Sequence, residues 1–143
     1  MVSKADIVQE ARSLINITWE HEGRTIIGID CVGLIIMVIN NLGINLDNYN
    51  ILGYSRRSNG DKILKEFREN MIQKPILKAE PGDVLLFRDS IFPCHVGIVA
   101  IQHGRPSIIH AHATRRKVLE EIMEQGDWLE RRVACFQYKY LEI

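Results

Sequence analysis

The sequence has no hydrophobic run long enough to cross a bilayer. The longest, Val32 to Ile39, falls far short of the roughly 20 residues that a spanning helix needs, so no membrane insertion is expected. No secretory signal is expected either, because Lys4, Asp6, Glu10 and Arg12 interrupt any apolar stretch at the start. The sequence therefore predicts a chain made, and at first kept, in the cytoplasm. Charge of one sign is missing as well: 18 Lys and Arg balance 18 Asp and Glu, without the basic excess of a general nucleic-acid binder. Cysteine is scarce. Cys31, Cys94 and Cys135 are odd in number and show no C-x-x-C spacing, which argues against a disulfide framework and against a zinc ribbon. Internal repeats, low-complexity tracts and linkers are absent too.

What is there reads as one domain over residues 1–143. A chain of this length buries roughly 68% of its unfolded surface, enough for a core without disulfides or metal. The first 80 residues read mostly as helix and the last 60 mostly as strand, a segregation that predicts an α+β domain. Ser3 can cap a first helix with Asp6 three residues on, and Ile7, Val8, Ala11, Leu14 and Ile15 then share a face. Asn16 to Asp30 reads as a loop. Cys31 to Leu42 reads as a helix stopped by Gly43; it is apolar nearly all round, so it should be central and buried. A third helix over Asp61–Met71 should bury Ile63, Leu64, Phe67 and Met71. After the turn pair Pro81-Gly82, strands are expected at Asp83–Arg88, His95–Ile101, Ser107–Thr114, Lys117–Met123 and Val133–Glu142, paired antiparallel, with His103-Gly104 as a tight turn.

Two places carry chemistry. Cys31 stands where a glycine-bearing loop enters the buried helix. A helix N-terminus stabilises thiolate through its macrodipole and unpaired N–H groups, and the same groups suit the oxyanion formed when thiolate attacks a carbonyl. A small buried core residue would occupy that position equally well. On the strand side, His110 and His112 share one face. If His103-Gly104 is a two-residue turn, His112 lies across from His95 and His110 across from Gly97, so three imidazoles project from one side of the sheet. A base histidine with a polar group to orient its ring is the recurring Cys–His arrangement. Any one strand histidine is ordinarily a satisfied core or surface residue; three on a face weaken that reading. Cys94, adjacent to His95, should point to the other face and be structural, as should Cys135. Arg56-Arg57, Arg115-Arg116-Lys117 and Arg131-Arg132 read as solvated faces, and His103 as turn surface.

The order D-C-V-G-L (30–34), P-G-D-V-L-L-F (81–87), H-V-G-I (95–98) and I-I-H-A (108–111) resembles the NlpC-type cell-wall peptidases. The resemblance implies a papain-like α+β fold, with N-terminal helices packed on an antiparallel sheet of about five strands. It implies a Cys-His-His triad: Cys31 the nucleophile, His95 the base, and His110 the residue that holds the His95 ring, with His112 its rival. The reaction implied is thiol hydrolysis of peptidoglycan stem peptides at the bond between D-γ-glutamate and diaminopimelate or lysine, with no metal or organic cofactor. His21-x-Gly23-Arg24, Tyr54-Ser55-Arg56, His110-Ala111 followed by Lys117-Val118-x-Glu120, and Trp128 with Arg131 resemble the phage and prophage tail-associated branch. That implies tail proteins as partners and a tail-borne location. The resemblance departs at Trp19, which stands near where the family often carries a tyrosine. Three other readings remain open at this point: a tail-tip structural protein that keeps the fold without turnover, a cytoplasmic amidase acting on recycled wall peptides, and a metal-binding module using Cys31, His95, His110 and His112.

Overall fold

The computed structural model describes residues 2–20, 23–25, 28–44, 60–89 and 92–139. Helix α1 (Lys4–Ser13) opens with the expected capping box, in which the Ser3 side chain accepts the Asp6 N–H and the Asp6 carboxylate accepts the Ser3 N–H. It buries Ile7, Val8 and Ala11. The stretch read as loop contains a two-stranded ribbon, β1 (Arg24–Thr25) and β2 (Gly28–Ile29), which leads into α2 (Cys31–Asn41). Every residue of α2 from Cys31 to Ile39 is buried, as a helix apolar on all sides requires. Helix α3 (Gly60–Asn70) buries Ile63 and Phe67.

The remaining strands are β3 (Ile72–Lys74), β4 (Val84–Asp89), β5 (Phe92–Gln102), β6 (Arg105–His112), β7 (Lys117–Ile122) and, after the short helix α4 (Trp128–Arg131), β8 (Arg132–Gln137). They form one antiparallel sheet in the order β3-β8-β4-β5-β6-β7. Among the described residues the sheet thus has six strands, one more than the approximate five expected. The extra one, β3, is three residues long, and Ile72 and Gln73 are both exposed, so it has no alternation of burial to mark it. β8 ends at Gln137, and Tyr138 and Lys139 do not continue it; the rest of the expected strand, 140–142, lies outside the described residues.

Alternation along the strands sorts side chains to two covered faces. On one, Val84, Leu86, Val96, Ile98, Ala100, Ile109 and Phe136 pack with the apolar residues of α1, α2 and α3. Each fully buried Leu, Ile, Val or Phe there contributes about 1.5–3 kcal/mol by removal from water. On the other face, Leu85, Phe87, Val99, Ile108 and Cys135 meet Met123 and Trp128. The hairpin between β5 and β6 is closed by His103 (φ 52°) and Gly104 (φ 75°). Two successive positive φ values are those of a type I′ turn, whose twist matches that of the strands. The resulting register pairs Ile98 with Ile109 and Gln102 with Arg105.

Within that register Gly97 is sterically required. A Cβ there would lie 2.6 Å from Ile108 Cγ1 and 3.0 Å from His110 Cβ. Gly97→Ala is therefore expected to destabilise the fold by about 1–3 kcal/mol through overpacking, read as a lowered Tm in thermal unfolding. An unchanged Tm would show that β6 yields at no cost.

Candidate active site

Cys31 is the first residue of α2 because Asp30 ends the extended chain there. Asp30 (φ −107°, ψ −170°) is buried, and its Oδ1 accepts the Gly33 N–H at 2.8 Å while its carbonyl accepts that of Leu34 at 2.9 Å. The cap holds Cys31 at the helix N-terminus, where the residue is 8% exposed. Backbone bonds tie this end of α2 to the sheet. Asn16 and Trp19 donate to the Val118 and Arg116 carbonyls, Val118 donates to Ile17, and Ile29 donates to Thr18. Lys117, bridged to Thr18, is paired with His112 at the end of β6. Continuing the β5–β6 register, His112 lies across from His95, so the start of α2 and the histidines share one end of the sheet.

At that end His95, half-buried, places Nε2 at 2.8 Å from Nδ1 of the fully buried His110. The two rings meet edge to face with centroids 5.0 Å apart. His110 Nε2 lies 3.1 Å from Glu121 Oε1, and the same oxygen accepts the indole N–H of Trp128. Trp128 packs edge-on against His110 at 4.8 Å and Phe87 at 5.2 Å, and tilted against His95 at 5.3 Å. The Arg131 guanidinium stands 4.6 Å over the indole. The bond from His110 holds the Glu121 carboxyl below the usual carboxylate range.

His112 is arranged differently. Its ring lies 5.3 Å from that of His110, but its Nδ1 accepts the Arg115 N–H at 3.1 Å, within the turn between β6 and β7. Burial first, then the nearby His110, pushes its pKa below the ordinary histidine value. His110, not His112, bonds to His95, although the register puts His112 directly opposite. The reason is Gly97: with no Cβ across the strand pair, the His110 side chain has room to lie along β5 toward His95.

The sequence singled out Cys31, His95, His110 and His112, and the structure brings His95 and His110 into direct contact. Cys31 belongs to the apolar cluster under the helices, whereas the aromatic rings around the histidines belong to the opposite face. Among the described residues, no group of three or more His, Cys, Asp or Glu side chains is arranged to hold a metal ion. Trp19 is half-buried against the helix-side cluster. His103 is exposed in its turn. Of the basic clusters, Arg115 and Arg116 are exposed, but Arg131 and Arg132 donate to the Arg88 and Leu129 carbonyls. His21, Tyr54, Ser55, Arg56, Arg57 and the Cys94 side chain lie outside the described residues. Glu121 went unremarked in the sequence, although register held the signal: it sits opposite Ile108, diagonal to His110.

A helix-borne thiol beside an antiparallel sheet that presents paired imidazoles is the architecture of papain-like cysteine hydrolases. Residues 17–137 match the NlpC/P60 family, and the chain belongs to that family, among the cell-wall cysteine peptidases and amidases. Solved structures share the fold. The NlpC/p60 domain of the peptidoglycan hydrolase SagA has a TM-score of 0.68 at 20% identity, covering 95% of this chain and 99% of that one. An NlpC/P60 family protein from Bacillus cereus has a TM-score of 0.67 at 17% identity, with 98% of this chain covering 41% of that one. An N-acetylmuramoyl-L-alanine amidase from Bacteroides uniformis has a TM-score of 0.63 at 11% identity, over 93% of this chain and 96% of that one. No curated protein sequence matches significantly.

The thiols should differ sharply in reactivity. Cys135 is fully buried, and burial first, then the Asp83 charge, pushes its pKa up to about 11. Time-resolved mapping of iodoacetamide adducts in mildly acidic buffer should show Cys31 alkylated first and Cys135 only after unfolding. Faster labelling of Cys94 or Cys135 would remove Cys31 as the activated thiol.

Proposed function

We propose that the chain hydrolyses peptidoglycan stem peptides by thiol catalysis, with residues 1–143 acting as one unit. Cys31 is the nucleophile, His95 the base, and His110 the group that holds the His95 ring. The observation that carries this reading is the 2.8 Å contact between His95 Nε2 and His110 Nδ1, at the sheet end to which the start of α2 is tied.

His95 takes the Cys31 thiol proton, and the thiolate adds to the amide carbonyl carbon. The tetrahedral oxyanion forms beside the positive end of α2. As it collapses, the C–N bond breaks and the amine leaves with the proton from His95, giving a thioester on Cys31. Water then loses a proton to His95 and attacks the thioester, releasing the peptide acid and the thiol. His110 accepts from the His95 ring and steadies the imidazolium of each half-reaction.

The bond cleaved, between D-γ-glutamate and diaminopimelate or lysine, follows from the family resemblance. The likeness to the SagA peptidoglycan hydrolase domain and to the Bacteroides uniformis N-acetylmuramoyl-L-alanine amidase supports wall-peptide amides as the substrate class. Delivery by a phage or prophage tail, with tail proteins as partners, rests on the sequence pattern around residues 21–24, 54–56, 117–120 and 128–131.

Mass spectrometry of fragments from defined muropeptides tests the reading. Cys31→Ala and His95→Ala should each lower turnover by roughly 10⁴-fold, and the double variant should be little worse, since the two act as a unit. A Cys31→Ala protein that cleaves at the wild-type rate ends the proposal.

His110→Ala should lower kcat by about 10²-fold with little change in KM, as loss of an orienting group does. His110→Asn or Gln should keep part of the rate, because an amide oxygen still accepts from the His95 ring. His112→Ala should cost far less. If His112→Ala is the crippled variant, the roles are reversed.

A further inference from the structure

Beyond the histidine pair, on the side away from His95, lies a carboxylate that the mechanism above leaves unused. We propose that Glu121 is a positioning residue of the hydrolysis: by accepting the proton on His110 Nε2 it sets the tautomers of both histidines and leaves His95 Nδ1 as the basic nitrogen. This rests on the peptidase reading and adds a fourth member to its relay.

The hydrogen positions follow inward from Trp128. An indole nitrogen only donates, and Trp128 Nε1–H points at Glu121 Oε1, so that oxygen is an acceptor. His110 Nε2 lies 3.1 Å from the same oxygen. A glutamate carboxyl is ionised near neutral pH, and an ionised carboxylate can only accept. His110 Nε2 therefore carries the hydrogen. A neutral imidazole has a single N–H, so His110 Nδ1 offers a lone pair, and His95 Nε2, 2.8 Å away, must donate to it. His95 Nδ1 is then the unprotonated nitrogen. Without the carboxylate, His110 is free to protonate at Nδ1 instead. His95 Nε2 would then accept, its hydrogen would move to Nδ1, and the nitrogen needed as base would be blocked.

The strand register makes Glu121 available for this role and withholds its neighbour. Glu120 faces the helices, where it binds the Arg12 guanidinium at 3.0 Å and accepts the Ser107 hydroxyl at 2.7 Å. Glu121, with a side chain 28% exposed, faces the imidazoles. The titratable and charged groups around it are His110 and His112 from β6 and, across the indole from α4, Arg131. When His95 takes up its second proton, the Glu121 charge stabilises the imidazolium through His110.

Imidazole ¹⁵N NMR reads the tautomers directly, without activity. At about pH 8.5, well above the ~6.5 of an ordinary histidine, wild type and Glu121→Gln should both show His95 and His110 as Nε2–H forms. Glu121→Ala should show the Nδ1–H form appearing. On a muropeptide, Glu121→Ala should lower kcat about tenfold with KM within about twofold, the usual cost of losing a group that orients an imidazole. Glu121→Gln should recover most of that rate, because its amide oxygen accepts the same N–H.

Unchanged Nε2–H tautomers in Glu121→Ala would overturn the inference. So would a wild-type His110 that carries its hydrogen on Nδ1, which decides the matter alone if the alanine variant fails to fold. Cys31→Ala, assayed in parallel, separates the two levels. If it still turns over, the peptidase reading fails. If it is dead while Glu121→Ala keeps the Nε2–H tautomers, only the role of Glu121 fails.

Discussion

The β5–β6 hairpin register is the constraint on which the site depends. The turn at His103 and Gly104 admits positive φ at both positions, which pairs Gln102 with Arg105 and Ile98 with Ile109. Because side chains alternate with a period of two, a slip of one residue would send every histidine of β6 to the helix side. With the register as it stands, His110 lies across from the gap at Gly97 and reaches His95 rather than standing off from it. The same alternation, carried to β7 through the pairing of Ile108 with Glu121, sends two adjacent carboxylates to opposite faces.

The two faces perform different work. On the helix side, Glu120 and Arg12 join β7 to α1, and the Glu120 partner raises the guanidinium pKa. At the other margin Asp83, fully buried at the start of β4, has Lys74 Nζ at 2.7 Å and Lys4 Nζ at 2.9 Å, joining β3 and α1 to the central sheet. Removing either partner of a buried carboxylate leaves charge uncompensated in a poor solvent for it, so these links act more as locks on geometry than as a surplus of stability. The buried hydroxyl of Tyr138 donates to the Ile35 carbonyl and holds the middle of α2 against the chain beyond β8. The opposite face is a small aromatic box in which Phe87 and Trp128 fix the imidazole planes. Cys31 comes from the first face and the imidazoles from the second, and the backbone ladder through residues 16–20 and 28–29 brings the two sources to one end of the sheet.

Much of this was legible in the sequence. The helix at Cys31 was marked by an apolar run that could only be buried, and its start by the glycine-bearing loop that enters it. The first helix was marked by its capping box, and the β5–β6 turn by the pair His103-Gly104. These are local signals, decided by neighbours within a few positions. β3 was missed because its residues are largely exposed and owe their strand conformation to pairing with β8, more than sixty residues away. The ribbon of β1 and β2 was missed for a similar reason: its segment is held by bonds to β7, which no local pattern encodes.

At the site the division follows the same line. The sequence by itself singled out Cys31, His95, His110 and His112 and, through strand alternation, put the three histidines on one face. It did not determine which imidazole His95 would touch, because Cα register alone puts His112 opposite. Tertiary structure made that choice: Gly97 left room for one ring, the Arg115 N–H engaged the other, and the Trp128 indole, from beyond β7, pressed against His110. Glu121 came to lie against His110 for the same reason, since a carboxylate reads as solvated surface until the strand beside it shows what it faces. Local sequence sets backbone periodicity, but hydrogen-bond partners across strands depend on packing that forms only when distant segments meet.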